Sequence, residues 1–131
     1  MLGDNSEDDM SYCTVYDWTP TLASVANASD LTNGASCAAF IGEGGSTTVG
    51  VVMGSVQGLL TPDAAAYVEW TATLPATADE VVFVSGYAAG SGDPELVIGS
   101  IAGSTMTLYF TSPDTSPWSF FVDFTYRTGA A

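Results

Sequence analysis

The stretch Trp118-Ser119-Phe120-Phe121-Val122-Asp123-Phe124-Thr125-Tyr126 decides the fold class. Trp118, Phe120, Val122, Phe124 and Tyr126 recur at every second position, and only an extended chain places such residues on one side. The spacing therefore predicts a half-buried β-strand. Moving back along the chain, residues 104–111 alternate in the same way, with Met106, Leu108 and Phe110 on one face and Thr105, Thr107 and Tyr109 on the other. Their expected partner is 95–101, joined by a tight turn at Ala102-Gly103 whose glycine supplies a positive φ. Residues 67–74 place Val68, Trp70, Ala72 and Leu74 inward. Residues 80–87 are apolar on both faces, with Val81 and Phe83 alternating against Val82 and Val84, so this strand is expected to be central.

Further strands are expected at 47–56, 36–41 and 12–18. In the first, Val49, Val51 and Met53 alternate with Gly50 and Gly54, and glycines within a strand signal bulges or close backbone approach. Helix is expected only briefly, at 24–30 and for one turn after Pro62 through Ala66. The sum is an all-β, single-domain chain of about eight strands, a β-sandwich of jelly-roll type or a small barrel. An acidic, irregular N-terminal arm (1–11) precedes the β domain (12–131). Residues 42–46, 88–94 and 112–117 are the longer loops, where binding residues would be carried.

Composition narrows the function. The chain has 131 residues, 15 Asp plus Glu, a single basic residue (Arg127), no His and 47% apolar residues. That length suits one domain, and such a domain buries roughly two thirds of its unfolded surface, so its core needs no metal or disulfide staple. Without His or Lys there is no imidazole base or ligand, no Schiff-base lysine and no phosphate-loop lysine. The chain reads as non-enzymatic, with no cofactor, no metal site and no catalytic residue expected. An average domain of this length carries roughly 33 charged residues, about half of them acidic, so the net charge of −14 reflects missing cations rather than surplus carboxylates. One Arg cannot displace counterions from nucleic acid or seat the chain on an anionic membrane. The uncharged remainder of the surface is Ser, Thr, Gly, Ala and Asn, which lose little side-chain entropy when ordered and so suit contact between copies. A neutral secreted surface fits that composition equally well.

Asp4, Glu7, Asp8 and Asp9 crowd the first residues without a basic partner. They lack the ligand order and central Gly of a calcium loop, so a solvated acidic arm is expected, of a kind that could also lie across a basic neighbour. No positive start and apolar run marks a secretory signal, and no apolar stretch approaches the ~18 residues of a membrane span. The chain is accordingly expected to be made in the cytoplasm and used without export by that route, unless a signal has been removed. Cys13 and Cys37 either form one disulfide, worth about 3 kcal/mol, or are two buried thiols.

Two constellations remain. Two carboxylates drawn from Glu43, Glu69, Asp93, Glu95 and Asp123 would have to lie about 5–9.5 Å apart to hydrolyse a glycoside, and solvated positions on strands explain them better. Asp114-Thr115-Ser116 resembles an aspartic-protease triplet, but it occurs once and lacks the Gly; a turn between Pro113 and Pro117 accounts for it. Among the aromatics, Trp70 and Trp118 fall on apolar faces, whereas Tyr12, Tyr16 and Tyr109 fall on the opposite faces and are candidate contacts. Arg127 makes either a surface pair within the chain or a bidentate contact to a neighbouring copy.

An irregular acidic arm, strands rich in Gly, Ala, Ser and Thr, and an aromatic final strand resemble, in style, the small virion structural proteins of tailed bacteriophages: capsid decoration (cement) proteins and tail or head-fibre domains. The resemblance rests on no diagnostic motif. It implies a multi-copy virion protein, often trimeric, that binds copies of itself and a larger structural protein such as a capsid protein, with no nucleic acid or membrane partner. The expected contacts are Asp4, Glu7, Asp8, Asp9, Tyr12, Tyr16, Tyr109 and Arg127. The alternative expectation is a carbohydrate- or receptor-binding module using exposed aromatics.

Overall fold

A computed structural model describes the backbone of residues 13–42 and 50–129 and the side chains of 18–39, 50–81 and 83–129. It contains β1 (Cys13–Asp17), β2 (Leu22–Ala26), β3 (Ala28–Gly42), β4 (Gly50–Pro62), β5 (Tyr67–Thr73), β6 (Glu80–Ala89), β7 (Glu95–Ala102), β8 (Thr105–Thr111) and β9 (Trp118–Thr128). The all-β class expected from the sequence is what the chain adopts, with nine strands. All pairs are antiparallel, in the order β1-β3-β4-β9-β6-β7-β8-β5-β2, and the sheet is rolled into a nearly closed barrel. Opposite walls of the roll face each other as the two sheets of a sandwich would.

The strand that announces the fold is also its centre. β9 lies between β4 and β6, and Trp118, Phe120, Val122, Phe124 and Tyr126 are all buried. Across the interior, the Trp70 ring of β5 lies 5.0 Å from Phe120 and 6.0 Å from Phe110, and Phe110 of β8 lies 5.5 Å from Trp118. β5 and β8 are not neighbours of β9 in the sheet, so these contacts bridge the barrel. Room for the rings comes from glycine. Gly54 and Gly58 of β4 stand opposite Phe124 and Phe120 in the register, and a Cβ on either would strike the ring. Pairing a large side chain with a glycine on the next strand is how a small barrel fills its taper. The inward positions of β4 are consequently Val52, Val56 and Leu60, while Met53 is exposed.

The remaining expectations divide cleanly. The β7–β8 hairpin forms where the sequence places it, closing at Ala102↔Thr105 with Gly103 at φ 60°. No helix occurs among the described residues. Residues 24–30 are instead a corner where β2 runs into β3, with Asn27 (φ 61°) and Asp30 (φ 53°) in the left-handed region that these side chains tolerate and a helix does not. The Asn27 side-chain amide donates to the carbonyls of Ala64 (2.9 Å) and Tyr67 (3.2 Å), which ties this corner to the bend that replaces the expected turn of helix after Pro62. At the other end of the barrel, the Tyr126 hydroxyl donates to the Ala76 carbonyl (2.8 Å) and accepts from its amide (3.2 Å), pinning the β5–β6 connection.

Candidate functional site

The outer face of β4, β9, β6 and β7 carries what an isolated barrel does not need. β6 is central, as expected, but no part of the described chain covers its outer side. A bulge between Val81 and Phe83 resets its register so that Phe83, Ser85 and Tyr87 align with the outer residues of β9. Tyr87 stands between Phe121 of β9 and Leu96 of β7, and its ring is stacked 5.1 Å from that of Phe121. Phe83 (46% exposed), Tyr87 (47%), Leu96 (66%) and Ile98 (46%) face solvent together. Single exposed apolar residues are ordinary, but a contiguous group on one side of a sheet marks a contact surface.

Asp123 lies in the middle of this face. It is opposite Ser85 on one side and Ser55 on the other. Two shallow open depressions meet at Phe83 and Asp123. One, of about 460 Å³, is lined by Ser85, Tyr87, Leu96 and Phe121 as well. The other, of about 380 Å³, runs toward Met53, Ser55 and Cys37. Cys37 is a free, exposed thiol whose Sγ lies 3.7 Å from Ser55 Oγ, so neither the disulfide nor the buried-thiol expectation describes it. The register explains why: Cys13 pairs with Ile41, four residues along β3 from Cys37. That spacing is about 13 Å, beyond the reach of a disulfide.

The residues singled out from the sequence are not gathered in one place. Asp4, Glu7, Asp8, Asp9 and Tyr12 lie outside the described residues, as do Glu43 and most of the 42–46 loop. Tyr16 sits in the edge strand β1 opposite Ala38. Arg127 is paired within its own chain, 3.5 Å from Glu80 on the neighbouring strand, which is the first of its two expected roles; both side chains are exposed. Tyr109 is on the outer face of β8, its ring 5.6 Å from that of Tyr67. The Tyr67 hydroxyl donates to Glu69 (2.7 Å), and this bond, with burial and the carboxylate charge adding to it, pushes the phenol up to about 12.

Asp114 forms the turn expected of it. Its carboxylate accepts from Ser116 Oγ (2.6 Å), the Ser116 amide (3.1 Å), Ser91 Oγ (2.5 Å) and the Trp118 indole (3.2 Å). The bonds from Ser116 and then Ser91 hold the carboxyl down at about 2. The loops at 88–94 and 112–117 are thereby stitched together, with Oδ1 taking three of the four bonds and Oδ2 the one from Ser91. Among the described residues, no three Cys, Asp or Glu side chains converge on a common point.

Sequence reasoning missed Phe83, Tyr87, Leu96 and Phe121 as a group. The signal was present: Phe121 falls on the polar face of β9, and Leu96 and Ile98 alternate out of step with buried Val97. No family model matches the chain, and no curated protein or solved structure is similar to it.

Proposed function

We propose that this chain is a non-enzymatic virion structural protein of the capsid-decoration type, which stabilises a multi-copy shell through contacts with its own copies and with a larger structural protein. The observation that supports the reading is the apolar face of Phe83, Tyr87, Leu96 and Ile98, uncovered among the described residues, on a sheet whose interior is already filled. A free-standing domain gains nothing from such a face; a subunit gains the burial of its apolar area, at about 25 cal/mol per Å² before association costs. The scarcity of long charged side chains supports it too, since few need to be immobilised at a contact.

The test is the solution mass of the protein by light scattering at low and moderate salt, with and without millimolar calcium. A trimer or larger species is expected, strengthened by salt because screening relieves repulsion between subunits of charge −14. A monomer under every condition overturns the self-associating part of the reading. A second reading, a carbohydrate- or receptor-binding module, is favoured by the Tyr67–Tyr109 ring pair beside Glu69, which offers aromatic area and a hydrogen-bond acceptor together. The stacked Tyr87–Phe121 pair supports it less, because each ring covers a face of the other. Specific retention on a glycan array, lost in Tyr109→Ala, would establish that second reading.

A further inference from the structure

We propose that the outer face centred on Asp123 seats a partner protein that presents an arginine within an apolar surface, so that this contact is heterologous and is not made by a second copy of the chain. The inference rests on the structural-protein reading and specifies which surface meets the larger partner. Charge complementarity carries it. Asp123 is exposed on the floor shared by the two depressions, ringed by Phe83, Tyr87 and Phe121, and it has no hydrogen bond or ion pair among the described residues. An interface closing over these apolar side chains would strand that carboxylate without a counter-charge, and an unpaired buried charge is strongly unfavourable.

This chain does not hold the required cation. It has no Lys and no His, and its sole Arg is engaged with Glu80. A partner's arginine meets all three features of the site. Its aliphatic stem packs against Phe83 and Leu96, its planar fork matches the carboxylate geometry, and its flat face stacks on Tyr87 or Phe121. Ser85 and Ser55, flanking Asp123 on the neighbouring strands, offer hydroxyl acceptors for the guanidinium N–H groups that the carboxylate leaves over.

The experiment follows backbone amide resonances of the full chain as a capped Leu-Arg-Leu peptide is added, beside the same peptide with neutral citrulline in place of arginine. Saturable shifts confined to β6, β7 and β9 around Asp123 are expected. Affinity should be at least fivefold weaker for the citrulline peptide, and Asp123→Asn should abolish the difference. Equal binding of the two peptides, or no saturable shift, overturns the proposal. The solution mass of Phe83→Ser is measured in parallel. It should equal that of the unmodified protein; if Phe83→Ser dissolves an oligomer, the face is a contact between copies, and this inference fails while the assembly reading stands. If the unmodified protein is monomeric but binds the arginine peptide selectively, the inference stands and the self-association reading fails.

Discussion

Adding a single methyl group at Gly58 tests the packing of the barrel directly. A Cβ at this position would lie 2.4 Å from the Thr32 carbonyl oxygen, 2.5 Å from Phe120 Cζ and 2.9 Å from Phe120 Cε2. Ordinary contacts begin near 3.4 Å, so the first of these neighbours must move by 3.4 − 2.4, or 1.0 Å. Overpacking of a dense interior costs about 1–3 kcal/mol. The upper part of that range applies here, because the Thr32 carbonyl belongs to a paired strand and cannot rotate away like a side chain. Against this, replacing glycine lowers the entropy of the unfolded chain and returns about 0.4–1 kcal/mol. Gly58→Ala should therefore lose about 2 kcal/mol, which at a urea slope of roughly 2 kcal/mol per M moves the unfolding midpoint down by about 1 M. The assay is urea unfolding followed by tryptophan fluorescence, since Trp18, Trp70 and Trp118 all report on the core. Gly92→Ala is the control: nothing lies within 4 Å of its Cβ, and its stability should stay within about 0.5 kcal/mol of the unmodified protein. If Gly58→Ala unfolds at the same midpoint and slope as Gly92→Ala, the arrangement of β9 rings over β4 glycines is wrong.

Three further outcomes follow from the same structure. Trp118→Phe should destabilise the protein more than Trp70→Phe, by roughly 2 kcal/mol in urea unfolding, because the Trp118 indole donates to the Asp114 carboxylate whereas the buried Trp70 indole has no hydrogen-bond partner to lose. Asp114 has a folded-state pKa of about 2, below its unfolded value, so its contribution is complete above about pH 4 and lost as the pH falls toward 2. Following the Trp118 indole resonance through an acid titration should show this window, and Asp114→Asn should remove it. Arg127→Ala should change stability by less than about 1 kcal/mol, since its partner Glu80 and Arg127 itself are both largely in water; a larger loss in thermal unfolding would give the pair a structural weight it does not have here.

What the sequence made legible was parity, wherever a strand is apolar on one side only. β9, β8 and β5 were readable residue by residue because Ser, Thr and Asp occupy most of their outward positions. β4 was not. Val51-Val52-Met53 is apolar on both parities, and only its pairing with β9, some seventy residues away, shows that Gly54 and Gly58 face inward beneath Phe124 and Phe120. The corner at 24–30 misled for a different reason. Its Ala residues favour helix while its Ser and Asn residues favour caps and turns, and the tertiary bonds from Asn27 to Ala64 and Tyr67 decide its shape. A second apolar parity on β6 reads as a central strand, and it does not reveal what lies against the outer face. It equally describes a strand that is covered on one side and waiting for a partner on the other.

That ambiguity bears on what the partner must be. In a two-fold contact between copies the same patch meets itself, so an interface whose axis passes through Asp123 would bring one Asp123 toward the other. Two carboxylates about 5 Å apart at an effective dielectric of 20 repel by about 3 kcal/mol, which offsets the gain from burying a good part of the surrounding apolar area. The general charge adds to this, since each subunit carries −14. An arginine from a different protein reverses the sign of the local term. The same Asp123 that makes self-association through this face unfavourable thus makes a heterologous contact specific, and Asp123→Asn should show both effects at once: no discrimination between charged and neutral peptides, and a greater tendency to associate through the face at low salt.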